Sequence, residues 1–229
     1  MSKIAAKPSV KKRVFVVDDH AVVREGLTIL INNQTDLEVC GEASNAPDAM
    51  RELETAHADI VLVDISLKGT NGLELIRNIR TLYAKLPALV LSAHEDTRYA
   101  ERAFRAGAMG YVMKDQQSEV LVDAIRRVLA GKIFLRAELM PEVLAAVAGK
   151  KDIDDGSPFK SLSDRELEVF QLLGQGVQTR NIAETLRLQP KTVHRYRENI
   201  KMKLGLNNAT ELLHAAYEWV SNRTAEEEV

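Results

Sequence analysis

Residues 14–20 read VFVVDDH and residues 60–66 read IVLVDIS. In both, a run that is apolar at every position ends on a carboxylate. A strand with one wet face alternates apolar and polar residues, so a run without alternation belongs to a strand covered on both faces. Two further runs have the same character, Ala88–Leu91 and Gly110–Met113, and a more alternating candidate strand lies at Leu37–Cys40. Amphipathic stretches fill the gaps: Ala21–Ile31, Ala46–Ala56, Gly72–Leu82, Thr97–Ala106 and Glu119–Ala130, with Gly107 placed to end the fourth. Strand followed by helix, five times over, predicts an α/β fold with a doubly wound, five-stranded parallel sheet.

The chain has 229 residues, enough for two domains of ordinary size. Its net charge is −2, so overall charge points to no nucleic-acid partner and only a local patch could. A single cysteine, Cys40, excludes an internal disulfide and a cysteine-rich zinc site, and indicates a reducing compartment. Cys40 itself reads as a small buried apolar residue. Residues 1–12 are basic without an apolar core, which is a solvated tail rather than a secretory signal. No apolar run approaches the roughly 20 residues of a membrane helix. Together these predict a cytoplasmic protein with no membrane partner.

Past residue 131 the pattern changes. Residues 132–160 read as a linker holding one short helix, Met140–Ala148, and then the polar stretch GKKDIDDGSP. No strand pattern returns. Residues 161–221 read as four helices: Asp164–Leu173, Arg180–Leu186, Lys191–Leu204 and Ala209–Val220. Ser163 and Glu166 have capping-box spacing, and Pro190 suits the first position of the third helix. On the last helix Ala209, Leu212, Leu213, Ala216, Tyr217 and Val220 read as the core stripe. Leu212, Ala215 and Trp219 form a second apolar flank, read either as core edge or as a dimer contact. The closing AEEEV reads as disordered.

Chemistry concentrates at the strand ends. Asp18 and Asp19 follow the first central run, Asp64 the second, Ser92 the third and Lys114 the fourth. In an open parallel sheet the carboxyl ends of the strands form the ligand crevice, so these residues converge. Clustered carboxylates raise one another's pKa unless a cation relieves them. An oxygen-only donor set selects a hard divalent ion, Mg2+ rather than zinc. Mg2+ with a lysine beside a carboxylate suits phosphoryl transfer, with Asp64 as nucleophile and with Lys114 and Ser92 on the phosphoryl oxygens. A nucleotide-hydrolysing site would need a glycine-rich loop ending in Lys-Ser/Thr, which the sequence lacks. His20 reads either as a proton-transfer group or, more simply, as a surface residue at a helix start. His57 and His94 lack metal-ligand spacing.

A second feature lies between Arg187 and Lys203, where six basic residues stand against one acid, Glu198. On a helix of about 100° per residue, Val193, Tyr196, Ile200 and Leu204 share one side as a core stripe. Lys191, His194, Arg195, Glu198, Lys201 and Met202 lie opposite, with Arg197 and Lys203 at the flanks. A short helix precedes this one across Arg187–Gln189. That is helix-turn-helix organisation, with the second helix shaped for a DNA major groove. His194, Arg195 and Glu198 point toward base edges. Arg197 and Lys203, at the flanks, are placed for the phosphates, with Gln189 and Thr192 near the helix start as neutral contacts; Lys191 and Lys201 on the outer face complete the DNA-binding set.

The segments VFVVDDH, VLVDISL, LVLSAH and AGAMGYVMKD resemble the receiver domain of bacterial response regulators over residues 13–131. The stretch from Leu162 to Leu206 resembles the LuxR-type helix-turn-helix, so the chain as a whole is similar to NarL/FixJ-type response regulators. The resemblance implies a flavodoxin-like strand order 2-1-3-4-5 and phosphorylation of Asp64 by a sensor histidine kinase. It further implies Mg2+ on Asp18, Asp19, Asp64 and the backbone carbonyl of Ser66, Ser92 as the phosphate-sensing hydroxyl, Tyr111 as the switch aromatic and Lys114 as the phosphate-binding lysine. Its expected partners are double-stranded promoter DNA, a second copy of the chain on activation and, as a further class, RNA polymerase. Several positions depart from the family pattern: Lys68 and Asp115 stand where proline is common, Gln189 where a serine cap is common and Arg187 where glycine is frequent. An unphosphorylated dimerisation module is the nearest rival. A Mg2+-dependent phosphatase would need a substrate cap domain where this chain carries a basic helix. The reading is therefore a regulator, not an enzyme.

Overall fold

A computed structural model describes residues 10–67, 71–93, 97–147, 158–186 and 188–227. Lys68, His94, Arg187, residues 1–9 of the basic tail and the polar stretch after Val147 as far as Ser157 lie outside the described residues. The chain divides into two compact units, Met1–Lys151 and Asp152–Val229. Among the described residues no helix is long and apolar enough to cross a membrane.

The first unit alternates strand and helix: β1 (Lys12–Val17), α1 (Ala21–Asn32), β2 (Leu37–Ala43), α2 (Ala46–Ala56), β3 (Ile60–Asp64), α3 (Gly72–Leu82), β4 (Ala88–Ser92), α4 (Thr97–Ala106), β5 (Gly110–Met113) and α5 (Ser118–Leu129). The sheet is parallel throughout, in the order β2-β1-β3-β4-β5, as expected. Val14–Val17, Ile60–Val63 and Ala88–Leu91 are buried throughout, because helices cover both faces of the sheet. The register sets Val17 beside Val63, Asp64 beside Leu91 and Ser92 beside Met113, so the strand ends are level. β2 is longer than its alternating pattern indicates, and its Cys40 is half-buried rather than enclosed.

Two local devices fix the start of α3. Asn71 accepts a hydrogen bond from the Leu73 N–H at 2.8 Å, capping the helix. Gly72 packs so tightly on β3 that a Cβ there would lie 2.1 Å from the Asp64 carbonyl oxygen. Only glycine permits that approach, and it holds the backbone beneath Asp64.

Of the segment predicted as a linker, residues 132–147 belong to the first unit and 158–160 to the second. The Phe134 N–H donates to the Met109 carbonyl at 3.0 Å and the Tyr111 N–H to the Phe134 carbonyl at 2.9 Å, which extends the sheet edge beside β5. A short 3-10 turn (Ala137–Leu139) leads into α6 (Met140–Val147), which packs on α4. Leu135, Leu139 and Val143 are buried by this docking. The short helix is close to the predicted Met140–Ala148, but its docking on α4 has no local signal in the sequence.

The second unit contains a 3-10 turn (Pro158–Ser161) and four helices, α7 (Asp164–Gly174), α8 (Thr179–Thr185), α9 (Pro190–Leu204) and α10 (Ala209–Glu227). The capping box is formed: the Glu166 N–H donates to Ser163 Oγ, and the Ser163 N–H to the Glu166 carboxylate. Pro190 opens α9, and Gln189 contributes no side-chain cap. Gly174 lets α7 cross α10 closely, since a Cβ there would lie 2.2 Å from the Ala216 carbonyl oxygen.

On α10 the predicted core stripe holds at Leu212 and Ala216 but not at Leu213 and Tyr217, and Trp219 of the second flank joins it. Leu212, Ala216 and Trp219 are buried, whereas Leu213 and Tyr217 are exposed. Trp219 packs edge-on to Phe170 and Phe159, with ring centroids 5.7 and 6.1 Å away. It packs in the domain core, the first of the two readings the sequence offers. The helix also continues past Val220 to Glu227, so the segment expected to be disordered is helical that far.

Candidate functional sites

The level strand ends bring the predicted acidic residues together. Asp18 and Asp64 are buried, and the Asp19 side chain is nearly so. Lys114, reaching back from the end of β5, sets its Nζ 2.7 Å from Asp18 Oδ2 and 2.9 Å from Asp64 Oδ2. The Ser66 N–H donates to Asp64 Oδ1 at 3.1 Å, fixing the carboxylate's orientation. Ser92 is fully buried at the end of β4, and its carbonyl accepts from the Lys114 N–H at 2.7 Å. Tyr111 is buried within β5, in register with Val90.

Burial pushes the Asp64 carboxyl above its ordinary range, and the neighbouring Asp18 adds to this. The Lys114 ammonium and the Ser66 N–H pull in the other direction without overcoming it. Burial alone would lower the Lys114 pKa, yet the Asp64 and Asp18 carboxylates outweigh it and hold the ammonium above its usual value. Among the described residues the cleft thus gathers three carboxylates around the Lys114 ammonium.

His20 is exposed at the start of α1, as the sequence reading favours, and its ring also borders this cluster. It caps α1, its N–H donates to Asp18 Oδ1 at 2.8 Å, and its Nδ1 lies 2.9 Å from Asp19 Oδ1. One ligand atom each from Asp18, Asp19, His20 and Asp64 falls within 4.8 Å of the others. Adjacency to the acidic pair is the only sequence signal for it.

On α9, Val193 and Ile200 are buried, and Tyr196 and Leu204 are partly so. Lys191, His194, Arg195, Glu198 and Met202 are exposed, and Thr192 is half-buried. Arg195 stands over the Tyr196 ring, 6.0 Å from its centroid. Lys201 lies closer to the protein than expected and pairs with Glu198 at 2.9 Å. The two flanking cations turn inward. Arg197 Nη1 donates to Thr179 Oγ1 of α8 at 2.5 Å, and Lys203 Nζ lies 2.6 Å from the buried Glu166 Oε2. Burial acts to raise the Glu166 pKa, but Lys203 and the capping contacts at Ser163 hold it below the usual range.

Residues 14–126 match the family described as response regulator receiver domain, and residues 160–216 the family described as bacterial regulatory proteins, luxR family. The chain is 34% identical over 203 residues to the response regulator UvrY of Escherichia coli (strain K12), covering 89% of this chain and 92% of UvrY. The crystal structure of a LuxR-family two-component response regulator from Aurantimonas sp. SI85-9A1 is similar at TM-score 0.56 and 34% identity, over 61% of this chain and all but 1% of that one (99% covered). The structure of the RcsB–DNA complex is similar at TM-score 0.54 and 25% identity, over 90% of this chain and 97% of RcsB.

Proposed function

This chain belongs to the NarL/FixJ-type response regulators, DNA-binding transcription regulators built from a receiver and a luxR-type helix-turn-helix domain, and from that premise we propose that Asp64 is its phosphoacceptor. The observation that carries the reading is the position of Asp64, buried at a strand end between the Asp18 carboxylate and the Lys114 ammonium. An Asp64 carboxylate oxygen attacks the phosphorus of a sensor kinase's phosphohistidine. The P–O bond forms as the P–N bond breaks, and the imidazole nitrogen keeps the electron pair. Lys114 then pairs with a phosphoryl oxygen, and Ser92 and Tyr111 are the groups that respond to it.

The donor chemistry of the cleft fits Mg2+. Three carboxylates are gathered at one point with the Lys114 ammonium 2.9 Å from Asp64 Oδ2, and oxygen donors of this kind suit a hard divalent ion. Asp18, Asp19 and Asp64, with the Ser66 carbonyl, would hold the ion. When bound it would supply the positive charge that offsets the incoming phosphoryl group.

The output is DNA binding rather than turnover of a small molecule, in the cytoplasm. His194, Arg195 and Glu198 read base edges, and Lys191, Thr192, Arg197 and Lys201 contact the sugar–phosphate backbone. A second copy, paired on activation, brings two recognition helices to two half-sites. The likeness to a regulator solved with DNA supports this part of the reading. Intact mass after incubation with acetyl phosphate and Mg2+ tests the assignment. The wild type gains one phosphoryl group and Asp64→Asn gains none; undiminished labelling of the variant rejects it.

A further inference from the structure

The loop that carries Asp18 and Asp19 is gripped from behind. Arg24, one turn into α1, folds back so that Nη1 donates to the main-chain carbonyl of Asp18 at 2.6 Å. Its Nε stands 3.7 Å from Glu42 Oε2 near the end of β2. Glu42 Oε1 in turn accepts from Thr28 Oγ1, a further turn along α1, at 2.6 Å. The guanidinium is largely enclosed, with 19% of the side chain exposed. On the other side of the same residue, the Asp18 N–H donates to the Ala43 carbonyl of β2 at 3.1 Å.

These contacts fix the peptide between Asp18 and Asp19. That peptide has one soft rotation on each side, and turning it swings the Asp19 carboxylate relative to Asp18 and Asp64. Mg2+ accepts little such movement, because it requires near-octahedral donors at about 2.0–2.1 Å. Arg24 reaches the acidic turn through the Asp18 main-chain carbonyl. Its charge is offset by Glu42, so its contact with the acidic turn is geometric.

We infer that Arg24 is a positioning residue of the phosphoacceptor cleft: held by Glu42 and Thr28, it locks the Asp18–Asp19 turn in the form that binds a divalent cation. The inference rests on the cleft reading given above. It also makes a prediction whose sign separates geometry from charge. Removing a cation beside three carboxylates should tighten Mg2+ binding if only charge matters. If Arg24 holds the turn, its removal weakens binding, by about tenfold or more as for other residues that orient ligands from behind.

The experiment is calorimetric titration of the unphosphorylated full chain with Mg2+, alongside thermal melting in EDTA and acetyl-phosphate labelling across Mg2+ concentrations. For Arg24→Gln we expect Mg2+ affinity to fall about tenfold, melting in EDTA to stay near wild type, and labelling to recover at saturating Mg2+. Arg24→Lys, with one donor group instead of a fork, should fall between. Thr28→Val changes no charge but frees Glu42, and it should weaken binding in the same direction, which keeps the test decisive should Arg24→Gln not fold. Equal or tighter binding by a folded Arg24→Gln, or unaltered binding by Thr28→Val where Arg24→Gln is unfolded, overturns the inference. If the wild type shows neither saturable Mg2+ binding nor labelling, the cleft reading itself fails, and the inference with it.

Discussion

The cleft and the recognition helix both present lysines and arginines beside carboxylates, yet they are built in opposite ways. Lys114 reaches across 96 residues of sequence to Asp18 and is enclosed with it. Lys201 finds its acid, Glu198, three residues away on the same helix. In the cleft each charge is held by the others, so deleting one leaves the rest buried and uncompensated. On the outer face of α9 a deleted charge is replaced by water. A cation's role in this molecule therefore depends less on its type than on what remains when it is removed.

The largest effect that could break this contrast is at Lys114. Lys114→Ala leaves Asp18 and Asp64 facing each other without a counterion. Breaking a buried ion cluster from one side costs about 3–5 kcal/mol, and partial access of water to Lys114 argues for about 3 kcal/mol here. Mg2+ should restore much of the loss, since it binds the folded form and supplies the missing charge. Thermal unfolding in EDTA and in Mg2+ measures both effects. A Lys114→Ala protein as stable as wild type in EDTA would mean the carboxylates are not coupled as their distances imply.

The next effect, at Arg195, should leave folding alone. Arg195→Ala is expected to change stability by no more than about 0.5 kcal/mol, because the side chain is exposed. Binding to the preferred DNA sequence should weaken by about 1–3 kcal/mol, with relaxed preference at one base pair. Arg197→Ala should instead weaken all sequences alike and lower the salt slope by about one. Titrations on preferred and scrambled duplexes at several salt concentrations separate the two. Uniform weakening by Arg195→Ala, with altered base preference in Arg197→Ala, would mean that α9 enters the groove with a different rotation.

The same contrast governs what the sequence reveals. Strands buried on both faces are apolar at every position, so their ends are sharp, and Asp18, Asp64, Ser92 and Lys114 follow those ends directly. Parallel register then makes convergence a necessity. Features that depend on tertiary partners are hidden. His20 beside an acidic pair has the same local sequence whether it faces water or the cleft. The α10 helix offers two apolar stripes, and packing on the Phe170 and Phe159 rings goes with Trp219 facing inward and Tyr217 outward. Residues 132–147 show their short helix in the sequence, but that Leu139 and Val143 dock it is decided by tertiary partners.

Lys203 lies between the two extremes and tests where the division falls. Its place on α9 predicts a phosphate contact, but the structure pairs it with Glu166, which also accepts the Ser163 N–H at 2.7 Å. That contact ties α9 to the first turn of α7. Because the Glu166 pKa is depressed in the folded chain, its charge contributes stability that is fully present above the ordinary carboxylate range. The contribution is lost as pH falls through the depressed value. Lys203→Met should therefore cost about 1 kcal/mol at neutral pH, less than an enclosed pair would because Lys203 is 39% exposed. The gap between variant and wild type should narrow as the medium is taken from about pH 7 down through the acid range, as the wild-type Glu166 takes up its proton. Thermal melts of the second unit's transition across that range measure it. A variant of unaltered stability that loses one unit of salt slope on DNA would return Lys203 to the phosphate-contacting face, and the ion pair with Glu166 would then contribute nothing measurable to the fold.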